Sequence, residues 1–290
     1  MPYVSDAPPE PPPLTRAMAR ARKGVSAATS AAGKPVTVPV PQMPVQPLLT
    51  VAVVALAGLL TVTAFAGPSM LALAIALSAG VIAWGWAGLL GLPSPRGTSL
   101  VLAVGSVAAI GTVLATRQDP YLAWLPAAMA GAMIVAFAHQ LARRDGRPRL
   151  VESIAATITA MAIVVSGASL VALPRNEHGA WVVAISAAAV AVSAVTDLAG
   201  LSRRLSAWLL PMAMLAGGAV AILVGHRLGA VGWGAAALLG VLAAGVSHAV
   251  RRVLATLPAI SGARSQLVSA SASVLTCGVV VYVVGRLWIA

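Results

Sequence analysis

The chain alternates between long stretches of Ala, Val, Leu, Ile, Met and Gly and short punctuations of Arg, Pro, Asp or Asn. Nine apolar stretches stand out, at about 48–67, 70–92, 99–116, 121–142, 150–173, 180–199, 205–225, 230–250 and 267–288. A helix that crosses the hydrocarbon core of a bilayer needs roughly 20 mainly apolar residues. Each stretch has about that length and is apolar on every side, as helices in lipid or in a bundle interior are. The ten-residue alternation of a membrane β-strand is not seen. The expected fold class is therefore all-α. It is a polytopic helical membrane bundle of about nine transmembrane helices, occupying residues 47–290.

Residues 1–46 break this pattern. They carry Pro8, Pro9, Pro11, Pro12, Pro13, Pro35, Pro39, Pro41 and Pro44, with Arg16, Arg20, Arg22 and Lys23 between. Such a composition reads as a flexible, basic cytoplasmic tail. A short basic helix on the membrane surface over residues 14–32 is the alternative. The first apolar stretch begins too late for a cleavable signal peptide.

Composition narrows the class. Hydrophobic residues make up 59% and charged residues 9%, against about 25% charged in a soluble domain. A soluble enzyme, a disordered chain and a coiled coil are all excluded. The net charge of +12 would ordinarily raise nucleic-acid binding, but its placement argues otherwise. With a cytoplasmic N-terminus and nine alternating helices, fifteen of the nineteen Lys and Arg fall on the cytoplasmic side. Arg117, Arg175, Arg227 and Arg286 fall outside. That asymmetry is the positive-inside signature. It predicts a multi-pass membrane protein with its N-terminus in the cytoplasm and its C-terminus outside. The cationic loops then face anionic lipid headgroups, and no nucleic-acid partner is expected. Tyr121, Trp124, Trp181, Trp233 and Trp288 fall near outer helix ends and Trp208 near an inner one, as interfacial aromatics do. Trp84 and Trp86 lie deeper and are expected to pack against other helices.

The fourth and eighth stretches can be laid over each other with a shift of 109 residues. Trp124 and His139 then meet Trp233 and His248, Gly131 meets Gly240, and Arg143 meets Arg252. The same shift carries Leu89, Gly91 and Leu92 onto Leu198, Gly200 and Leu201. Chance is the competing explanation in so Ala- and Leu-rich a chain. A real duplication makes residues 70–173 and 180–288 two four-helix parallel repeats, with the first helix added. Transporters contain such repeats, with substrate sites between the halves.

Ionisable groups in spans are costly and are functional candidates by default. The candidates for substrate binding or coupling are Glu152, Asp197, His139, His248, Arg143, Arg144 and Arg252, all close to the basic rim. Each has a plainer reading. The two histidines sit near helix C-termini, where positive charge suits the dipole, and Glu152 sits at a helix start, three residues from Arg149. Asp197 is different: a carboxylate near a helix C-terminus opposes the dipole, so a partner is required. Arg203, Arg204 or a His from another helix would serve. Pro126 and Pro211 lie about a turn inside their stretches and are expected to kink them, and Gly217-Gly218 adds flexibility. Ser269, Ser271, Ser273 and Thr276 are expected to bond to neighbouring helices or to their own backbone. The single cysteine, Cys277, excludes a disulfide framework or Cys-based metal site. No metal site or cofactor is expected.

Three function classes remain: a permease or transporter of a solute or lipid, an enzyme acting on a lipid phosphate at the cytoplasmic face, and a non-catalytic assembly subunit. For the enzyme, arginines would grip phosphate and Glu152, Asp197 or Asp145 would hold a metal, but the acids are isolated. The oligomeric state is open.

Three segments carry a resemblance. They are Gly91-Leu-Pro-Ser-Pro-Arg-Gly-Thr98, His139-Gln-Leu-Ala-Arg-Arg-Asp-Gly-Arg-Pro-Arg-Leu-Val-Glu-Ser153 and Ser166-Gly-Ala-Ser-Leu-Val-Ala-Leu-Pro174. In these the chain resembles a family of uncharacterised multi-pass membrane proteins of actinobacteria, often labelled permeases. The resemblance implies a membrane fold and carries no established chemistry.

Overall fold

A computed structural model describes residues 46–144, 146, 148–198, 206–228 and 231–288. The Pro-rich tail, Asp145, Arg203 and Arg204 lie outside the described residues, apart from the tail's last residue, Gln46. All regular structure among the described residues is helical. The helices are α1 (Pro47–Phe65), α2 (Pro68–Leu89), α3 (Pro95–Ala115), α4 (Leu125–Ala142) and α5 (Leu150–Ser169). They are followed by α6 (Gly179–Thr196), α7 (Leu209–Leu228), α8 (Trp233–Leu254), α9 (Ala263–Leu275) and α10 (Gly278–Trp288). A 3₁₀ segment, Leu170–Arg175, extends α5, and α9 and α10 together make one span. Among the described residues nine segments are long and apolar enough to cross a membrane. Val62, Val107, Ile134, Val151 and Leu215 point outward from the bundle, leaving an apolar perimeter that only hydrocarbon would solvate well. The chain is a multi-pass helical membrane protein.

The helix starts are written in proline. Pro47, Pro68, Pro95 and Pro126 all sit at the first or second helical position. No intrahelical bond is lost there, because the first N–H groups of a helix have no partner. Pro126 therefore starts α4 and does not kink it. Pro211 is likewise in the first turn of α7, after a short 3₁₀ turn over Ser206–Trp208. The tight link between α1 and α2 depends on Gly67, whose φ of 108° suits a residue without Cβ. α2 ends in a Schellman motif: Leu92 N–H donates to Ala87 O and Gly91 N–H to Gly88 O, with Gly91 at φ 60°.

Small residues set the closest crossings. A Cβ on Gly240 would fall 2.5 Å from the Gly217 carbonyl oxygen, and one on Gly217 would overlap the Ala244 Cβ. Here α7 and α8 touch backbone to backbone, the way helices associate when lipid offers no hydrophobic drive. Gly217-Gly218 is thus a contact point and not a flexible joint.

The real irregularities lie in the two longest spans, the fifth and ninth, at 26 residues each. The ninth is broken at Thr276–Cys277, between α9 and α10. Ser166 of α5 bridges the break: its Oγ donates to Thr276 O at 2.8 Å and accepts from Val279 N–H at 2.9 Å. Gly278 lies so close against the Ser166 carbonyl that a Cβ would overlap it. Both irregularities face one small internal cavity of about 20 Å³, lined in part by Leu170, Cys277 and Ser186. Non-helical backbone at membrane depth survives only where protein surrounds it.

Candidate functional site

Two helices carry i, i+4 pairs of polar residues in otherwise apolar sequence: Ser193 and Asp197 near the end of α6, and Ser247 and Arg251 in α8. This spacing places each pair on one helix face, and α6 packs its face against that of α8. The Arg251 guanidinium lies in the seam with its side chain 1% exposed. Its Nε donates to Asp197 Oδ2 at 2.7 Å, Nη1 to Ser247 Oγ at 2.5 Å and Nη2 to Ser193 Oγ at 2.9 Å. Ser193 in turn donates to Ala244 O. The other carboxylate oxygen, Asp197 Oδ1, lies 2.7 Å from His248 Nδ1.

The electrostatics explain the arrangement. Asp197 is the C-cap of α6, where the helix dipole disfavours an anion. A fixed cation and a histidine from α8 offset that penalty. Burying a charged pair still costs several kcal/mol of desolvation per ion, roughly, which only good geometry and full hydrogen bonding return. The Asp197 side chain remains 20% exposed and His248 only 4%, so the carboxylate is the most accessible member of the cluster.

The cluster also reaches inward. The Cys277 thiol lies 3.3 Å from both the Ala243 and the Ser273 carbonyl and donates its one proton to either. Asp197, Arg251 and Ser247 form one bonded series, and Cys277 marks the break in the ninth span, packed on the same helix α8 through Ala243.

The other sequence candidates lie elsewhere on the same rim. Glu152 accepts from Arg149 Nε at 2.5 Å, with both side chains about half exposed. Arg149 also donates to Gly91 O at 2.8 Å, so this pair ties two loops together. Glu152 and Asp197 have different partners. His139 Nε2 is 3.4 Å from Ser94 Oγ, its ring seated on Gly97, where a Cβ would overlap it. Arg143 donates to Gln140 Oε1 at 2.8 Å. Arg144 is exposed and Arg252 half-buried. Among the described residues no three His, Cys, Asp or Glu side chains gather as a metal site.

The two central tryptophans divide. Trp86 is buried and donates Nε1–H to Ala156 O at 2.8 Å. Trp84, expected to pack against helices, is 54% exposed, with the Arg264 guanidinium 4.2 Å over its ring.

Arg251, Ser193 and Ser247 are not among the residues that the sequence pattern singles out. The overlay of the fourth and eighth stretches points to Arg252, and His248 has Arg251 at i+3 and Arg252 at i+4. Only the rotation of α8 against α6 decides which one enters the seam. The i, i+4 recurrence of Ser193 with Asp197 and Ser247 with Arg251 is the signal that the sequence does hold.

Fold and site together define a polytopic helical membrane protein with a buried ionic seam between two of its helices. In comparisons with family models, curated proteins and solved structures, nothing matches the chain.

Proposed function

We infer that the protein is a membrane transporter whose Asp197–His248–Arg251 cluster couples protonation to the packing of α6 on α8. The observation that carries this reading is the burial of Arg251 against a single, partly exposed carboxylate that it shares with a histidine. A purely structural seam in so apolar a bundle gains little from ionisable groups, whereas such groups in membrane spans mark ion and substrate paths. Protonating Asp197 removes the anion that holds Arg251 and His248, so the seam has two states that differ by one proton. The broken ninth span and the 3₁₀ end of the fifth add support, since discontinuous helices line transporter sites. In this reading the basic rim faces the cytoplasm of a bacterial cell and its anionic lipid headgroups.

The test is a deletion strain complemented by variants, together with proteoliposome currents recorded on a panel of solutes under an imposed pH gradient. Wild type should give proton-linked current with a solute. Asp197→Asn should insert in the membrane and give none. Wild-type transport and complementation by both Asp197→Asn and His248→Gln would return the cluster to a structural role.

A further inference from the structure

At the end of the bundle opposite the basic rim, the 3₁₀ segment Leu170–Arg175, the start of α6 and the last turn of α10 enclose an open cleft of about 410 Å³. That volume suits a small metabolite. The polar lining is Arg175, Asn176, Glu177, His178 and Arg286. Two arginines line one cleft, and a guanidinium is the donor type that matches carboxylate and phosphate.

What the two arginines already hold is informative. Arg175 donates from Nη1 and Nη2 to the backbone carbonyls of Thr116, Val113 and Leu114, and its guanidinium lies 4.6 Å over the Tyr121 ring. These partners fix its position without neutralising it. Among the described residues no carboxylate forms an ion pair with Arg175. Arg286 does hold a carboxylate, Asp119, through Nη2, and both side chains are nearly half exposed. Among the described residues Arg286 bonds only through Nη2, which leaves Nε and Nη1 as donors for a second acceptor. Glu177 is the one carboxylate in the lining and is exposed, which disfavours ligands of high negative charge.

We propose that this cleft binds a small oxyanion, carboxylate or phosphate in type, between Arg286 and Arg175, and that Asp119 occupies Arg286 as an internal stand-in for it. The proposal is independent of the Asp197 cluster.

The test uses the purified full chain in nanodiscs of neutral phosphatidylcholine. Inorganic phosphate, and separately acetate, are titrated at constant ionic strength and followed by calorimetry. Saturable binding is expected. Asp119→Asn should tighten it about tenfold by freeing Arg286, and Arg286→Gln should weaken it about tenfold or more. General destabilisation cannot move the two variants in opposite directions. Discs containing phosphatidylglycerol form the second arm. Loss of phosphate binding there, together with lipid retention that Arg286→Gln abolishes, would support the site and make a lipid headgroup the source of the oxyanion. Absence of saturable phosphate or acetate binding with no phosphatidylglycerol effect would overturn the proposal. So would binding that neither variant alters.

Discussion

Arg251 reaches from α8 to Asp197 at the end of α6, Nε to Oδ2 at 2.7 Å, with the guanidinium sealed from solvent. One charge is therefore balanced by one carboxylate, and removing either member strands the other. Asp197→Ala and Arg251→Ala should each destabilise the protein by about 3–5 kcal/mol, while the double variant Asp197→Ala with Arg251→Ala should cost markedly less than their sum. Unfolding titrations in mixed micelles on the two singles and the double measure this; additive losses would show that the pair is not a unit.

Ser166 satisfies both sides of the break in the ninth span. Ser166→Ala leaves the Thr276 carbonyl and the Val279 N–H without that partner in a buried setting, a loss of about 1–3 kcal/mol. Ser166→Thr should keep the hydroxyl but crowd the Gly278 contact. Thermal unfolding in detergent compares the two, and an unchanged melting point for Ser166→Ala would mean that the break is held by packing alone.

The α7–α8 crossing leaves no space for a side chain. Gly217→Val and Gly240→Val should each destabilise by about 3 kcal/mol, because the added atoms meet a facing alanine Cβ and a backbone carbonyl, neither of which can swing away. Gly58, where an added Cβ would meet nothing within 4 Å, is the control: Gly58→Ala should be neutral or stabilising. Melting temperatures of the three purified variants decide.

Reporter fusions give the direction of insertion. A fusion after Gly146 should report cytoplasm and one after His178 should report the outside. The reverse pattern would overturn the orientation drawn from the distribution of arginines.

Much of the fold is legible in the chain because each span announces itself by about twenty apolar residues, and four of the nine spans among the described residues carry a proline at the first or second helical position. The break in the ninth span is not. Leu275-Thr-Cys-Gly278 contains no proline or charge, and the interruption arises from the α5 surface at Ser166 and Gly167, distant in sequence. Pro126 and Pro211 mislead for the converse reason: a proline's effect depends on whether it lies in the first turn, and apolar runs place helix starts only to within a few residues. At the site, the dipole argument finds Asp197 and its need for a partner, and a histidine of another helix is among those it expects. Arg251 depends on helix rotation, which composition does not encode. Depth alone places Trp84 among packed rings, yet a ring at any depth is exposed if its helix face meets no neighbour.

The glycine crossing of α7 on α8 carries one more consequence. Two rods that meet backbone to backbone cannot slide without clashing, so they turn together as a single lever. The Asp197 seam lies between that lever and α6. On the transport reading, opening that seam would mean moving α6 against the two helices together, with the Ser193 contact to Arg251 among those broken.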